Sequence, residues 1–244
     1  MNQAGGNAPA VAEMTLGLML AVSRRIVESD RKLRSERGYS RESLMGSDLR
    51  GKTLGIVGIG HAGSGTVTLA RAFGMRVRAM DPFVSLDDVR ARGAEPVDLD
   101  TLVRESDIVS LHCPRDSSTI GLFGSARFAA MKRGALFIST ARGGIHDEAA
   151  LYEALASGHL GGAGLDVWEP EPPPLDHPLL SLPNVVATFH TAGVSHEGRR
   201  SVAQMAAEQI VGLIQGVQPP RLINPQAWRP FLTRCEQIRH PLPR

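Results

Sequence analysis

The sequence predicts an α/β fold of the Rossmann type, a doubly wound parallel sheet of about seven strands. Two observations predict it: short apolar runs alternate with helical segments from residue 54 onward, and a glycine-rich turn follows the first run. Successive parallel strands need a crossover connection, which is usually a helix covering the sheet. The 244 residues suffice for one large domain or two modest ones.

Seven strands are expected, at residues 54–58, 76–80, 95–97, 108–112, 135–139, 162–166 and 185–188. Helices are expected between most of them, at residues 62–73, 86–92, 98–104, 125–131 and 147–157. Asp147 is expected to cap the last of these helices, and Gly158 to end it. Ligands of such a sheet bind beyond the carboxyl ends of the strands.

Two further helices flank the predicted sheet. Apolar residues at helical spacing predict one long helix over residues 8–36, which Asn7 can cap and Pro9 can open. Its second half is strongly charged and is expected to enter solvent. After the sheet, Ser195 is expected to cap a helix over residues 196–215.

Composition excludes several classes of function. The net charge of +2 gives no electrostatic case for binding nucleic acid or membranes. The apolar stretch 14–22 is too short to span a bilayer and lacks the flanks of a signal peptide. The two cysteines match no metal or redox spacing and fit a reducing cytoplasm. A tail with arginines at 229, 234, 239 and 244 is expected to be a frayed, solvated end.

The turn after the first strand carries the spacing G-x-G-x-x-G and opens a helix. Gly58 permits a tight turn, Gly60 lets the backbone approach a pyrophosphate, and Gly63 lets the helix pack close to the strand. Asp81, after the second strand, fits a carboxylate that accepts hydrogen bonds from the adenosine ribose hydroxyls. Such a carboxylate repels a 2′-phosphate, which favours NAD over NADP. The alternative is a glycine-rich turn and an unrelated surface aspartate.

Three later strands end in side chains that could carry chemistry. Arg142 follows one strand, acids at 166, 169 and 171 follow the next, and His190 follows the last. A guanidinium can hold a carboxylate by two hydrogen bonds and polarise a carbonyl. A histidine beside a carboxylate favours its charged form, which suits proton transfer. The alternatives are a surface ion pair for the arginine and a packed histidine.

Seven segments together resemble one known family: NAPAVAEMTLGLML, GKTLGIVGIGHAG, MDP, LHCP, ARGG, GLDVWEPEP and FHTAG. In this order and spacing they resemble the D-isomer-specific 2-hydroxyacid dehydrogenases, from about residue 6 to residue 228. That family includes D-3-phosphoglycerate, glyoxylate/hydroxypyruvate and D-lactate dehydrogenases. The resemblance implies an NAD-dependent oxidoreductase that transfers a hydride between the nicotinamide and a small D-2-hydroxy acid or 2-oxo acid.

The resemblance also implies roles for individual residues. Arg142 holds the substrate carboxylate and polarises the keto group, His190 is the acid/base, and Glu171 is its dyad partner, while Glu169 has no such role. Asp166 receives the nicotinamide carboxamide. The residues implied to line the NAD site are Gly58, Gly60, His61, Ala62 and Gly63 near the pyrophosphate, Asp81, Cys113 and Pro114 on the adenosine side, and Thr140, Ala141, Arg142, Asp166, His190 and Gly193 around the nicotinamide.

Four positions depart from the family's usual residues without removing a catalytic group. His61 replaces arginine or lysine, Ser139 replaces asparagine, His146 replaces an aliphatic residue, and Phe189 replaces the proline before the histidine. His146 is expected to be a surface or packing residue. Phe189 is expected to shift the loop that carries His190.

A larger departure concerns the substrate domain, because the N-terminal α/β unit of the family has no counterpart before NAPAVAEM. The chain then divides into a crossing helix and dimerisation arm at 1–47, an NAD-binding domain at 48–193, and a return helix and tail at 194–244. The resemblance implies that the outer segments are remnants of a substrate domain. We expect NAD(H) binding with poor turnover, a small 2-hydroxy or 2-oxo acid as substrate, a cytoplasmic location, and a homodimer through the arm at about 14–50. The alternative is a catalytically impaired or non-catalytic NAD(H)-binding module, or a fragment of such an enzyme.

Overall fold

A seven-stranded parallel sheet forms the centre of the structure. The computed structural model describes residues 1–38 and 40–239, with side chains to residue 237. The strands are β1 (Thr53–Val57), β2 (Arg76–Met80), β3 (Glu95–Pro96), β4 (Ile108–Leu111), β5 (Leu136–Ser139), β6 (Gly162–Leu165) and β7 (Val185–Ala187). Their order is β3-β2-β1-β4-β5-β6-β7, and every neighbouring pair is parallel. The predicted doubly wound sheet is confirmed, strand by strand.

Helices connect the strands and flank the sheet in sequence. They are α1 (Ala8–Ser23), α2 (Ile26–Ser35), α3 (His61–Ala72), α4 (Leu86–Ala91), α5 (Leu99–Glu105), α6 (Ser125–Ala130), α7 (Glu148–Ala156), α8 (Pro178–Ser181), α9 (His196–Ile214) and α10 (Trp228–Arg239). The side chains of Asp147 and Ser195 accept backbone hydrogen bonds at the starts of α7 and α9, as predicted. Among the described residues, no helix is long and apolar enough to cross a membrane.

The chain forms two compact units. One comprises residues 8–193, with the whole sheet and α1 to α8. The other comprises residues 1–7 and 194–244, of which 240–244 lie outside the described residues. The division into domains at 1–47, 48–193 and 194–244 stays a prediction.

Two apolar cores cover the two faces of the sheet. On one face α1 and α3 bury Met19 and Val67 against Ile56 of β1. On the other face the rings of Phe123, Phe128 and Phe137 pack together, with centroids 5.1 to 5.9 Å apart. Burying a side chain of this size contributes about 1.5–3 kcal/mol. The packed cores hold the strands in place. They therefore also position the loops that follow the carboxyl ends of the strands.

The predicted helix over residues 8–36 is wrong in one respect, because it is two helices. Arg25 adopts a left-handed conformation, with φ 51°, and separates α1 from α2. Two contacts stabilise the break. The Ser23 carbonyl accepts from Ser47 N over 2.8 Å, and the Arg25 guanidinium binds Glu28 in the first turn of α2 over 2.7 Å. The loop at residue 47 is remote in sequence, so helical spacing could not reveal it.

The C-terminal tail also differs from the expectation of a frayed end. Residues 228–239 form α10, and Trp228 stacks on Phe231 one turn later, with centroids 5.6 Å apart. Arg229, Arg234 and Arg239 therefore belong to a helix. Arg244, the last arginine of the predicted tail, lies outside the described residues.

His146 is a buried packing residue, 2% exposed, and its ring lies edge-on to Phe137. Neither ring nitrogen has a hydrogen-bond partner among the described residues. Burial lowers the pKa of His146 from 6.5 to about 4. The unfolded chain therefore takes up a proton that the folded chain excludes. The associated stability is fully present above pH 6.5 and is lost as the pH falls towards 4.

We expect His146→Leu to make folding less sensitive to acid. Between about pH 7.5 and about pH 5.5, the wild type should lose about 1.4 kcal/mol more unfolding free energy than the variant. Urea unfolding at the two pH values measures the difference. His112, whose pKa burial also lowers to about 4, is present in both proteins and cancels. Equal losses of unfolding free energy in the two proteins would show that His146 does not contribute to the acid sensitivity.

Candidate active site

The glycine-rich turn lies between β1 and α3. Gly58 has φ 91°, and a Cβ there would lie 2.7 Å from Cys113 N, so glycine is required. A Cβ on Gly63 would lie 2.2 Å from the Gly58 carbonyl oxygen, which explains the close packing of helix on strand. A Cβ on Gly60 would meet open space. Within the described part of the chain no side chain caps α3, whose first residue is the exposed His61, followed by the half-buried Ala62. The amino end of α3 is therefore open to an anionic group.

Asp81 lies at the end of β2, beside this turn. Its Oδ2 accepts from Ile59 N and its Oδ1 from Phe83 N, each over 2.9 Å. These bonds fix the carboxylate and leave each oxygen able to accept another. Asp81 is thereby oriented at the position predicted for the adenosine ribose.

Cys113 and Pro114 follow β4 and border the same turn, because Cys113 N lies against Gly58. Burial, assisted by the carboxylates of Asp116 and Asp81, raises the pKa of the Cys113 thiol to about 11. The thiol therefore stays protonated and uncharged at neutral pH. Pro114 is exposed at the edge of the site.

Glu171 and His190 form a hydrogen-bonded pair, with Oε2 2.8 Å from Nδ1. Each side chain is 38% exposed, so the pair is accessible from solvent. The second Glu171 oxygen accepts from Trp168 N over 3.2 Å. Since Glu171 occupies Nδ1, the Nε2 atom of His190 is left to meet a ligand.

The loop that carries His190 is fixed by Asp166. The carboxylate of Asp166 is completely buried, and it accepts from Thr188 Oγ1, Thr191 N and Ala192 N over 2.5 to 2.8 Å. The Asp166 carbonyl accepts from His190 N over 2.7 Å, and His190 has φ 52°. Asp166 therefore holds the loop that bears the imidazole. Its predicted contact with the nicotinamide carboxamide stays a prediction.

Arg142 follows β5 and is exposed. Its Nη1 donates to the Ala141 carbonyl over 2.6 Å. Among the described residues no carboxylate lies within 4.0 Å of the guanidinium, so the alternative of a surface ion pair is not what the structure shows. The positive charge of Arg142 is free to bind an external anion.

The Arg142 loop touches the turn that bears Glu171. A Cβ on Gly143 would lie 1.9 Å from the Trp168 carbonyl oxygen, so the two backbones are in direct contact. Glu171 in turn binds His190. The three strand ends therefore meet, as the parallel topology predicts.

Two further predicted residues line this edge less directly. Thr15 donates its hydroxyl hydrogen to Val11 O, so Thr140 must donate to Thr15 across their 3.0 Å contact. Thr140 thus ties the end of β5 to α1. Gly193 is half-buried in the loop after His190.

Sequence reasoning missed Glu148 and His177, which form a second, half-buried pair 2.9 Å apart. Glu148 directly follows the predicted cap at Asp147, and His177 lies in a proline-rich loop for which the sequence predicts no site. Pro178 after a polar residue was a usable signal for the short helix α8, whose first turn His177 caps.

Residues 16–192 match the family model "D-isomer specific 2-hydroxyacid dehydrogenase, NAD binding domain". The chain belongs to this family. It is similar to a D-3-phosphoglycerate dehydrogenase of Archaeoglobus fulgidus, with 42% identity over 98% of this chain and 46% of the relative. A glyoxylate reductase of Korarchaeum cryptofilum is 41% identical over 91% of this chain and 68% of that protein. The chain thus spans about half the length of the first relative.

A solved D-2-hydroxyacid dehydrogenase has the same fold. The crystal structure of D-lactate dehydrogenase with NAD+ from Lactobacillus jensenii superposes with a TM-score of 0.81 at 30% identity. The match covers 89% of this chain and 69% of that one. The family resemblance and the Rossmann fold predicted from the sequence are both confirmed.

The residues present fit the NAD of this family. The uncapped end of α3 beside Gly60 suits a pyrophosphate, because free N–H groups and the helix dipole favour negative charge. Asp81 lies one strand away, with acceptor capacity for ribose hydroxyls. The Glu171–His190 pair lies at the carboxyl ends of the strands on the other side of β1, so both halves of a dinucleotide have protein groups to meet.

Proposed function

We propose that this protein is an NAD-dependent oxidoreductase that interconverts small 2-oxo acids and D-2-hydroxy acids. One observation supports it most: a histidine and a glutamate 2.8 Å apart at the carboxyl edge of an NAD-binding sheet. Bound NADH would supply the hydride. The protein's own residues must then hold the acid and move one proton.

His190 is the proposed acid/base. Its Nδ1 faces Glu171, so Nε2 meets the substrate oxygen, giving a proton during reduction and taking one during oxidation. Glu171 orients the ring and stabilises the imidazolium that forms during oxidation. The bond from His190 N to the Asp166 carbonyl fixes the backbone from which the ring projects.

Arg142 is the proposed anchor for the substrate. A guanidinium can bind a carboxylate through two parallel hydrogen bonds, which orients a 2-oxo acid as well as holding it. Among the described residues, no carboxylate pairs with this exposed guanidinium, and Gly143 of the same loop contacts the turn that bears Glu171. Its present bond to the Ala141 carbonyl uses one of five donors.

A panel of 2-oxo acids tests the function. NADH oxidation is followed in separate reactions with glyoxylate, hydroxypyruvate, pyruvate and phosphohydroxypyruvate. A reaction without substrate is the control. The proposal expects substrate-dependent oxidation with at least one member. NADH binding without any turnover would favour the alternative, a non-catalytic NAD(H)-binding module.

Asp81 is expected to set the preference for NADH over NADPH. Asp81→Asn removes the charge that repels a 2′-phosphate, and a hydrogen bond to a charged group contributes about 1.5–3 kcal/mol. The ratio of the NADPH to the NADH dissociation constant should fall by about tenfold or more. Fluorescence titration measures both constants. The control is Asp87→Asn, whose carboxylate is 95% exposed on α4; an unchanged ratio in Asp81→Asn would contradict the assignment.

The homodimer and the cytoplasmic location belong to the same proposal. The arm at about 14–50 exposes Ile26, Leu33 and Met45 by 52%, 67% and 71%, which supports an interface there. Cys113 and Cys235 are free thiols, which suits a reducing compartment. Sedimentation at equilibrium should give twice the chain mass of 26.2 kDa. A single-chain mass would contradict the dimer.

A further inference from the structure

A second histidine–glutamate pair lies behind the dyad. His177 Nε2 is 2.9 Å from Glu148 Oε2, and these side chains are only 14% and 11% exposed. Leu179 N donates to His177 Nδ1 over 3.3 Å, so the ring hydrogen is on Nε2 and is donated to Glu148. Burial raises the pKa of Glu148. A largely enclosed carboxylate is costly to keep, and this pair is much less exposed than the dyad of Glu171 and His190.

Both members of the pair hold the turn that bears Glu171. The second Glu148 oxygen, Oε1, accepts from Glu169 N over 2.9 Å. The His177 ring lies edge-on to Trp168, with centroids 5.6 Å apart. Trp168 N donates to Glu171 Oε1 over 3.2 Å. The pair therefore contacts both Glu169 and Trp168, and the Trp168 N–H in turn orients Glu171.

Trp168 also reaches the strand end that bears His190. The side chain is 3% exposed, and its Nε1 donates to the Thr188 carbonyl over 3.0 Å. Thr188 lies two residues before His190. A single buried indole thus connects the Glu148–His177 pair with both halves of the dyad.

We propose that Glu148 and His177 are positioning residues that keep Glu171 and His190 within hydrogen-bond distance. The effect of these residues on turnover rests on the proposed function. Their effect on the distance between Glu171 and His190 does not depend on it. A merely structural pair would tie α7 to the loop before α8 and leave the environment of the His190 ring unchanged. The ring nitrogen signals of His190 distinguish the two cases.

The test uses the full chain with ¹⁵N-labelled histidine. The ring nitrogen signals of His190 are assigned by their loss in His190→Gln, and Glu171→Gln provides the reference for a broken dyad. Glu148→Ala is compared with Glu153→Ala, an exposed glutamate on the same helix. Thermal unfolding and NADH titration are recorded for each variant. A second variant, His177→Phe, keeps a ring against Trp168 but removes the donor to Glu148.

We expect the His190 signals in Glu148→Ala and His177→Phe to move towards those of Glu171→Gln. The NADH dissociation constant should be unchanged, and Glu153→Ala should match the wild type. On a substrate that the wild type reduces, kcat should fall about 10–100-fold with little change in KM. If Glu148→Ala does not fold, His177→Phe decides.

His190 signals at wild-type positions in a folded variant, while Glu171→Gln displaces them, would overturn the positioning role. Absence of turnover by the wild type would contradict the proposed function and leave this result standing. The two failures are therefore separable.

Discussion

Replacing His190 by glutamine should lower the rate of NADH-dependent reduction of a 2-oxo acid by about 10²–10⁴-fold. Glutamine can hydrogen-bond but cannot give up or take a proton at neutral pH, so the loss isolates acid/base chemistry. The Glu171 contact at 2.8 Å, together with the 38% exposure of both side chains, explains why this imidazole is proposed for the role. Initial rates with the best substrate of the panel measure the effect.

The matched control for this variant is His196→Gln. His196 is an exposed histidine at the start of α9 and is not among the residues proposed for the site. The His196→Gln variant should reduce the substrate at the wild-type rate. Thermal unfolding should show that both variants are folded. Equal rates for the wild type and His190→Gln would remove the proposed mechanism.

Replacing Asp166 by alanine should cost about 2–6 kcal/mol of unfolding free energy, since the N–H groups of Thr191 and Ala192 lose their acceptors at about 1–3 kcal/mol each. Thr188 Oγ1 loses the same carboxylate. The loop bearing His190 should loosen as a result. Urea unfolding measures the free energy, and NADH titration reports on the loop.

Two companion variants sharpen this result. Asp166→Asn keeps the shape and one acceptor oxygen, so its loss should be smaller than that of alanine. Asp87→Ala removes an exposed carboxylate on α4 and should change the free energy of unfolding by less than about 0.5 kcal/mol. Wild-type stability in Asp166→Ala would show that the loop is held by other contacts.

Much of the fold follows from local sequence. Apolar runs and the glycine-rich turn predicted all seven strands, and Asp147 and Ser195 marked helix starts because a side-chain oxygen at that position satisfies a free N–H group. Parallel topology then predicted that the ends of β5, β6 and β7 meet. Those predictions needed no knowledge of remote contacts.

The remainder depends on contacts between distant residues. The break at Arg25 follows from the docking of Ser47 on the end of α1, which no helical period encodes. The links from Glu148 to Glu169 and from Trp168 to Thr188 join segments about 20 residues apart in sequence. Pattern reasoning could place Glu171 and His190 at one edge, but it could not identify what holds them there.

A deuterium-transfer measurement tests the central claim most directly. NADH carrying deuterium at both C4 positions is incubated with the chain and either pyruvate or hydroxypyruvate, whichever reacts faster. The 2-hydroxy acid is then analysed by mass spectrometry and chiral chromatography. We expect one deuterium bound to C2 of the D isomer, and formation of this product about 10²–10⁴-fold more slowly by His190→Gln. A product without deuterium at C2, or an L product, would contradict it.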